Sequence, residues 1–159
     1  MGLPKDAPSE KEAGVQTSRR IEKDNQEATS PTIKGLTIST LPDRLAVCRL
    51  PPGDPVPGWA FSSSFCSVTR TQEELSIVCA EGIVPEGVSC ERGWRSLRVR
   101  GRIAFSQVGV LSSLVAPLAE GGISVFVVST YDTDYVLVKQ DVLPSAQEVL
   151  VSHGHVVHR

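Results

Sequence analysis

Two carboxylates, Asp132 and Asp134, stand in a short polar segment between two apolar runs, within 123-ISVFVVSTYDTDYVLVKQD-141. Carboxylates accept charge-assisted hydrogen bonds from ammonium and guanidinium groups, so this segment has the chemistry to hold a cation. Asp and Thr are also ordinary turn residues that hydrogen-bond their own backbone. Two interpretations follow from the residues alone. Either the turn is polar because it is exposed, or its side chains contact a ligand.

Other chemistry-bearing residues form no catalytic set in the sequence. The serine runs 62–64 and 112–113 lack a G-x-S-x-G motif, and neither a Walker A motif nor a G-x-G-x-x-G run is present. His153, His155 and His158 follow one another at the end of the printed chain, without the neighbouring ligands that would complete a metal set. We therefore expect three exposed histidines, no metal, no cofactor and no enzymatic activity.

The four cysteines, Cys48, Cys66, Cys79 and Cys90, are widely spaced and include no C-x-x-C pair. Structural zinc sites usually need closer ligand spacing. Free cysteine among aliphatic neighbours behaves as a small hydrophobic side chain. We predict structural thiols, with a disulfide or a metal role as the alternative.

The acidic turn needs a strand on each side, and the sequence offers several short β-type runs. They are Leu45–Leu50, Phe65–Thr69, Leu75–Cys79, Leu97–Val99, Ile123–Ser129, Tyr135–Val138 and Val156–Val157, with Val88–Cys90 as a further candidate. Pro and Gly cluster between several of them, notably in 51-PPGDPVPGW-59.

Two segments have the apolar spacing of helices. The first runs from about Ser106 to Glu120 with an apolar stripe, ends at Gly121-Gly122, and contains an unfavourable proline at Pro117. The second runs from about Pro144 to His153. The order after residue 94 is βαββαβ, the ferredoxin-like arrangement of two helices on one face of a four-stranded antiparallel sheet.

Composition narrows the class of protein. The chain has 159 residues, a net charge of −2 and 40% hydrophobic residues, which allows a packed core and argues against sequence-independent nucleic-acid binding. No apolar run of about 18 residues predicts a membrane span, and no signal peptide is recognisable. Residues 1–35 have no aromatic side chain and no apolar periodicity, so we predict a disordered tail. We expect a cytoplasmic protein without nucleic-acid or membrane partners.

An internal similarity appears when the sequence is shifted by 60 residues. The segment 66-CSVTRTQEELSIVCAE-81 then lies under 126-FVVSTYDTDYVLVKQD-141, with Glu74 on Asp134. Both segments have an apolar strand, an acidic polar turn and a second apolar strand. Duplication and chance similarity of two hairpins both explain this pattern. Under duplication, Pro-rich connections reduce the helices of the first unit to short turns.

The motifs GWRSLRV, VGVLSSL, GGISV and STYDTDYVLV follow one another in this order within residues 92–139. In this succession the chain resembles tandem ACT-domain proteins related to the aspartate kinase regulatory domain and to the cytosolic arginine sensors, and the resemblance covers about residues 36–155. It implies an α+β fold with two ferredoxin-like ACT units in tandem, antiparallel sheets and helices on one face. The implied organisation is a tail (1–35), a compressed first unit (36–92) and a second ACT domain (93–159).

In the family that the chain resembles, ligands lie between ACT units, against the loop before the first helix and the opposite hairpin. The matching positions are Val108, Gly109, Val110, Thr130, Tyr131, Asp132, Thr133 and Asp134. Free N–H groups at the helix start suit the carboxylate of an amino acid, and the acids of the hairpin suit its ammonium or a cationic side chain.

The resemblance implies a regulatory or sensor module that binds an amino acid and has no catalytic activity. The alternative is a ligand-free interaction or dimerisation module in which sheet edges or helix faces pair between chains. The expected partners are an amino acid, a second copy of the chain, or a regulatory protein.

Overall fold

Within residues 33–158, apolar side chains build seven strands and two helices in the order β1–β2–β3–β4–α1–β5–β6–α2–β7. The computed structural model describes residues 33–158, so positions 1–32 of the predicted tail lie outside the described residues. The strands are β1 Thr37–Leu50, β2 Ser67–Arg70, β3 Leu75–Ala80, β4 Cys90–Val99, β5 Phe126–Ser129, β6 Asp134–Lys139 and β7 Val156–His158. The helices are α1 Val110–Glu120 and α2 Leu143–Ser152. Within the described part of the chain, no helix is long and apolar enough to cross a membrane.

The strands form one continuous sheet with the order β2-β3-β1-β4-β6-β5, and β7 joins it beside β1. The prediction of two separate sheets is wrong in this respect, because β1 and β4 are long enough to run through both halves. The two strands pair from Ile38 opposite Val99 to Cys48 opposite Cys90, with two register shifts between. The mixed α/β architecture with a largely antiparallel sheet is confirmed.

The last strand departs from the predicted four-stranded arrangement. β7 pairs parallel with β1, Thr37 opposite Val156, instead of pairing with β4. The reason is that β1 begins eight residues before the predicted Leu45, and Ile38 on this early part is buried in the core under the helices. The predicted 36–92 and 93–159 boundary stays a prediction, since β1 contributes to both halves.

Three apolar clusters hold the sheet. Both helices pack on one face over β4 and β6, where Leu114, Leu118 and Leu150 are fully buried. On the same face of the first half, a smaller cluster contains Ala46, Cys48, Ala60, Leu75, Ile77, Cys79 and Val84. The opposite face carries Leu45, Val78, Trp94, Val128 and Leu137. Its aromatic rings link the two halves, because Phe65 before β2 lies 4.9 Å from Tyr135 on β6, measured between ring centroids.

Helices in the first half are replaced by short 3-10 turns, Gly58–Ser62 and Glu81–Ile83. In the second half α1 accommodates Pro117 within its length, and its start differs from the prediction. Gly109 adopts φ 86°, a left-handed conformation that an α-helix cannot contain, so α1 begins at Val110 instead of about Ser106.

Candidate functional site

The turn between β5 and β6 is built by its own threonines. The Thr130 N–H donates to the Thr133 carbonyl at 2.9 Å, and the Thr133 N–H donates to Thr130 Oγ1 at 3.3 Å. Thr133 is buried, and its hydroxyl donates to the Val99 carbonyl on β4 at 2.7 Å. These two residues therefore follow ordinary turn chemistry, and they hold the hairpin tip against the end of β4.

The two acids of the turn have different surroundings. Asp134 is half-buried at the start of β6, and its Oδ1 accepts a hydrogen bond from the Ser129 hydroxyl at 2.6 Å. Asp132 is exposed and pairs with Arg102, with 2.6 Å between Arg102 Nε and Asp132 Oδ1. The carboxylate of Asp132 thus has a cationic partner within the chain. Within residues 33–158, Asp134 forms no ion pair and keeps acceptor sites that the single serine hydroxyl leaves open.

The loop between β4 and α1 runs beside this turn. The Ile103 N–H donates to the Asp132 carbonyl at 2.8 Å, which fastens the loop to the hairpin. The rings of Phe105 and Tyr131 meet edge to face, 5.1 Å between centroids, although both side chains are exposed, by 80% and 73%. Val108, three residues after Phe105, is 70% exposed. This end of the molecule therefore presents large apolar side chains to solvent.

A cleft of about 190 Å³ separates the loop from the turn. It is lined by Ile103, Ala104, Phe105 and Gln107 from the loop and by Ser129, Thr130, Tyr131, Asp132, Thr133 and Asp134 from the hairpin. All five hairpin residues of the predicted site therefore lie at one cleft. The cleft is smaller than the roughly 300–1,000 Å³ of typical ligand pockets, and it is open on one side.

The predicted positions at the helix start do not line this cleft. Val110 is buried in α1, Gly109 provides the left-handed turn before it, and Val108 is exposed. Sequence patterns missed Ile103, Ala104, Phe105 and Gln107, which precede the helix start by a few residues. The short apolar run Ile103-Ala104-Phe105 between Arg102 and Ser106 was the available signal for this loop. Assignment of all eight predicted residues to a ligand site stays a prediction.

The start of α1 nevertheless retains the chemistry expected of it. The first turn contains no acidic side chain, and its first intrahelical bond runs from the Ser113 N–H to the Gly109 carbonyl at 3.0 Å. The preceding N–H groups have no partner within the helix, so they and the helix dipole favour an anionic group nearby.

The expectation of three exposed histidines is wrong for His155. Its side chain is only 3% exposed, and its Nε2 lies 3.2 Å from the Ser113 carbonyl of α1. The reason is that the chain turns back at Gly154 to form β7, which places His155 under α1. His153 and His158 are exposed as predicted.

The cysteines are free thiols: Cys48 and Cys79 are buried, Cys90 is half-buried and Cys66 is exposed. Burial, followed by the charges of the neighbouring Cys79 and Cys90 thiols, raises the pKa of Cys48 to about 12. Burial also raises the pKa of Cys79 and of Cys66. Thiols with raised pKa values stay protonated at neutral pH and are poor nucleophiles. Cys48 and Cys79 act as small apolar side chains in the core, with Cys90 packed against them.

Sequence comparison identifies related proteins. A family model described as an ACT domain matches residues 89–152, and a second model, described as an N-terminal domain, matches residues 43–87. The human protein CASTOR3P is 34% identical over 134 residues, which cover 74% of this chain and 82% of that protein. The bovine cytosolic arginine sensor for mTORC1 subunit 1 is 30% identical over 122 residues, covering 70% of this chain. The match spans only 37% of the bovine sensor.

Comparison with solved structures also identifies similar proteins. The crystal structure of protein Atu0741 from Agobacterium tumefaciens superposes with a TM-score of 0.75 at 34% identity, covering 79% of this chain and 94% of that one. The regulatory subunit of aspartate kinase from Thermus flavus superposes with a TM-score of 0.53 at 11% identity, covering 76% of this chain and 99% of that one. The second similarity shows a shared fold alone.

Proposed function

Because this chain belongs to the ACT-domain family, among relatives of the cytosolic arginine sensors, we propose that it is a non-catalytic module that binds an amino acid in the hairpin cleft. Regulatory amino-acid binding is the function of this family at its general level. The observation that carries the proposal for this chain is the convergence of the loop 103–107 and the turn 129–134 on one cleft with carboxylates in its wall. The name of the bovine relative makes arginine the first candidate ligand.

Asp134 is the residue to which we assign the positive end of the ligand. Its carboxylate is half-buried, so a charge-assisted bond there is less screened by water than one on an exposed side chain. Asp132 is the weaker candidate, because its carboxylate already pairs with Arg102 and is more exposed. A guanidinium or ammonium ligand would displace that internal partner at Asp132, whereas at Asp134 it would add to the Ser129 hydrogen bond.

We propose that the carboxylate of the ligand contacts the start of α1. Its first turn has N–H groups without intrahelical partners and no competing carboxylate. The helix start does not line the cleft itself, so we place the ligand carboxylate at the end of the loop 103–107 that leads into α1.

A single copy of the cleft is small and open, and its rim carries the exposed Phe105, Val108 and Tyr131. Exposed aromatic residues of this size are typical of surfaces that meet a partner. We therefore propose that a second ACT unit, from another copy or from a related protein, closes the site. This matches the position between ACT units that the family resemblance implies.

The same rim supports the second candidate function, a ligand-free dimerisation module. The exposed aromatic pair and the two outer strands, β2 and β5, would serve as the contact surface. The two functions make different predictions for association of the chain with its partner. A sensor associates when its amino acid is bound, and binding requires Asp134. A dimerisation module associates without any amino acid.

We propose in addition that the first half is a compressed ACT unit and that the protein acts in the cytosol, as the name of the arginine-sensor relatives states for them. The compressed unit is supported by the equal spacing of the two hairpins and the 3-10 turns that follow them. β2 begins at Ser67 and β5 at Phe126, and the subsequent turns begin at Glu81 and Gln140, both 59 positions apart.

The proposed function is tested by a thermal-unfolding screen against the twenty amino acids. A ligand at 100 times its dissociation constant adds roughly 2.7 kcal/mol to the free energy of unfolding, which raises the melting temperature by several degrees. Asp134→Asn should abolish the response while leaving the unliganded melting temperature nearly unchanged. Asp141→Asn, which removes an exposed acid outside the cleft, is the matched control and should keep it. A flat panel, or a response that survives Asp134→Asn, contradicts the assignment.

A further inference from the structure

A second and larger pocket lies away from the hairpin cleft, where β1, β4 and the start of α2 meet. Its volume is about 430 Å³, within the range typical of small-molecule sites. It is lined by Thr40, Pro42, Arg95, Leu143, Pro144 and Gln147. None of these residues belongs to the predicted ligand site.

Arg95 gives this pocket its charge. Nη1 donates to the side-chain Oε1 of Gln140 at 2.8 Å, and Nη2 donates to the Leu41 carbonyl at 3.0 Å, so both acceptors are uncharged. Its Nε is buried and has no hydrogen-bond partner. In the described part of the chain, no carboxylate lies within ion-pair distance of this guanidinium. Half-buried cations are normally compensated by a charged partner, and Arg95 has none.

The surroundings keep the pocket positive. The nearest arginine across the strand pair is Arg44, opposite Arg95 in the register, and Arg44 already takes the carboxylate of Glu81 at 2.9 Å. The first turn of α2 contains no acidic residue, and the positive end of its dipole lies in the same region; the nearby acid, Asp141 in the preceding 3-10 turn, is exposed and does not line the pocket. An anion bound here would therefore meet attraction from Arg95 without an opposing carboxylate among the lining residues.

The rest of the wall selects the body of the ligand. Pro42, Leu143 and Pro144 present aliphatic surface, which favours an apolar group over a hydrated ion. Gln147 is only 8% exposed, and its Nε2 donates to Thr40 Oγ1 at 2.9 Å, so this side of the pocket is fixed by a buried hydrogen bond. A rigid wall of this kind loses little freedom when a ligand binds.

We propose that this pocket binds a small organic monoanion, a carboxylate on a compact apolar body, with Arg95 as its charged partner. This site is separate from the hairpin cleft and holds the opposite charge, since the acids of the cleft suit a cation. A chain with both sites would respond to two ligands of different chemistry.

The test titrates benzoate into the ¹⁵N-labelled protein and follows the backbone amide signals by NMR. Benzoate should shift the signals of Thr40, Arg95 and Gln147 saturably, and benzamide, which has the same ring without the charge, should bind at least about tenfold more weakly. Inorganic phosphate, a charge without an apolar body, should also bind more weakly. This comparison of ligands needs no variant, so it holds even where a substitution disturbs folding.

Variants test whether Arg95 is the charged partner of benzoate. Arg95→Gln should lose benzoate binding, while Arg98→Gln, on the same strand with an exposed side chain, should keep it. Asp134→Asn should also keep it, which separates this site from the proposed amino-acid site. Any of three results overturns the proposal. The first is no saturable shift of these amide signals up to about 10 mM benzoate, which is far above the dissociation constant expected of a preformed site. The others are equal binding of benzamide or phosphate, and unchanged benzoate binding by Arg95→Gln.

Discussion

The two hairpins at the outer ends of the sheet have the same construction and different surroundings. In the first, the Thr71 N–H donates to the Glu74 carbonyl at 2.9 Å; in the second, the Thr130 N–H donates to the Thr133 carbonyl at 2.9 Å. The first is followed by a 3-10 turn and a loop, and the second by a 3-10 turn and α2. The comparison shows that the neighbouring loops differ, and not the hairpins themselves. The cleft of about 190 Å³ at the second hairpin is lined by the loop 103–107 that leads into α1, whereas a pocket of about 340 Å³ at the first hairpin is lined mainly by Arg49, Leu50, Pro51 and Pro52.

The difference in connections extends to the cores. Two helices bring leucines over the second half of the sheet, whereas the first half is filled mainly by small residues such as Ala46, Ala60, Cys48 and Cys79. Short 3-10 turns bring fewer side chains over the sheet than an α-helix does, and Leu75 and Ile77 are the large side chains fully buried in this cluster. The first half is therefore a thinner version of the same layer arrangement.

Truncation of the two cores should give the largest effect that distinguishes the halves. Leu118→Ala removes a fully buried side chain on α1 and should lower the free energy of unfolding by about 2–5 kcal/mol. Val84→Ala, next to the 3-10 turn of the first half, removes two methyl groups and should cost about 1.6 kcal/mol. Urea unfolding of both variants measures this, and equal losses would refute the claim of unequal cores.

The hairpin threonines should separate a buried from an exposed turn. Thr133→Val leaves the Val99 carbonyl without its buried donor and should cost about 1–3 kcal/mol. Thr71→Val removes hydroxyl contacts to the N–H groups of Glu73 and Glu74 that water can replace, and should cost under about 1 kcal/mol. Thermal unfolding measures both. A larger loss for Thr71→Val would mean that the first hairpin is the more tightly anchored.

Alkaline pH should weaken the first half selectively, because its core contains the buried thiols. The pKa of Cys48 is about 12 in the folded chain against an ordinary value of 9.0, so the folded state binds the proton more tightly. Its stabilising contribution is complete below about pH 9 and is lost progressively up to about pH 12. Cys48→Ala should flatten this decline in unfolding experiments between these pH values. Cys66→Ala should flatten it less, because the thiol of Cys66 is exposed and its pKa is raised by partial burial alone. An unchanged decline in Cys48→Ala would contradict the assignment.

The exposed ion pairs should give the smallest effect in both halves. Arg49–Glu74 and Arg102–Asp132 lie at the two hairpins, and solvent screens both. Arg49→Gln and Arg102→Gln should each change the free energy of unfolding by less than about 1 kcal/mol. A larger change in salt-dependent unfolding for either variant would show that its pair is part of a wider network.

The sequence predicted those elements that local patterns encode. The apolar stripe placed α1 and α2 within a few residues of their observed positions, and turn residues separated most of the strands. The predicted strands Val88–Cys90 and Leu97–Val99 were wrong as separate elements, because β4 runs without a break from Cys90 to Val99. The predicted start of α1 was wrong because Gly109 adopts a positive φ. A glycine within an apolar periodicity does not indicate this conformation in the sequence.

Long-range features could not be predicted from local patterns. The pairing of β7 with β1 joins distant segments, and it buries His155, a residue that looks exposed in sequence. The 60-residue shift was also out by one position. In the structure Ser67 matches Phe126, 59 positions on, so Glu74 corresponds to Thr133 instead of Asp134. Side-chain similarity favoured one register and backbone hydrogen bonds fix the other.

The cleft shows the same division. Its hairpin residues could be predicted because a polar turn with two acids is visible in sequence. Its loop residues were missed, because the bond from the Ile103 N–H to the Asp132 carbonyl leaves no side-chain pattern. The Phe105–Tyr131 and Arg102–Asp132 contacts do involve side chains, but local patterns do not show which residues will meet.

The most direct test of the central claim maps the best amino-acid ligand of the thermal screen onto both hairpins by NMR. The claim predicts saturable shifts of the backbone amides of residues 103–107 and 129–134, and unchanged signals for residues 70–75 of the first hairpin. Shifts confined to the first hairpin, or equal shifts at both, would contradict the claim that the cleft of the second hairpin is the binding site.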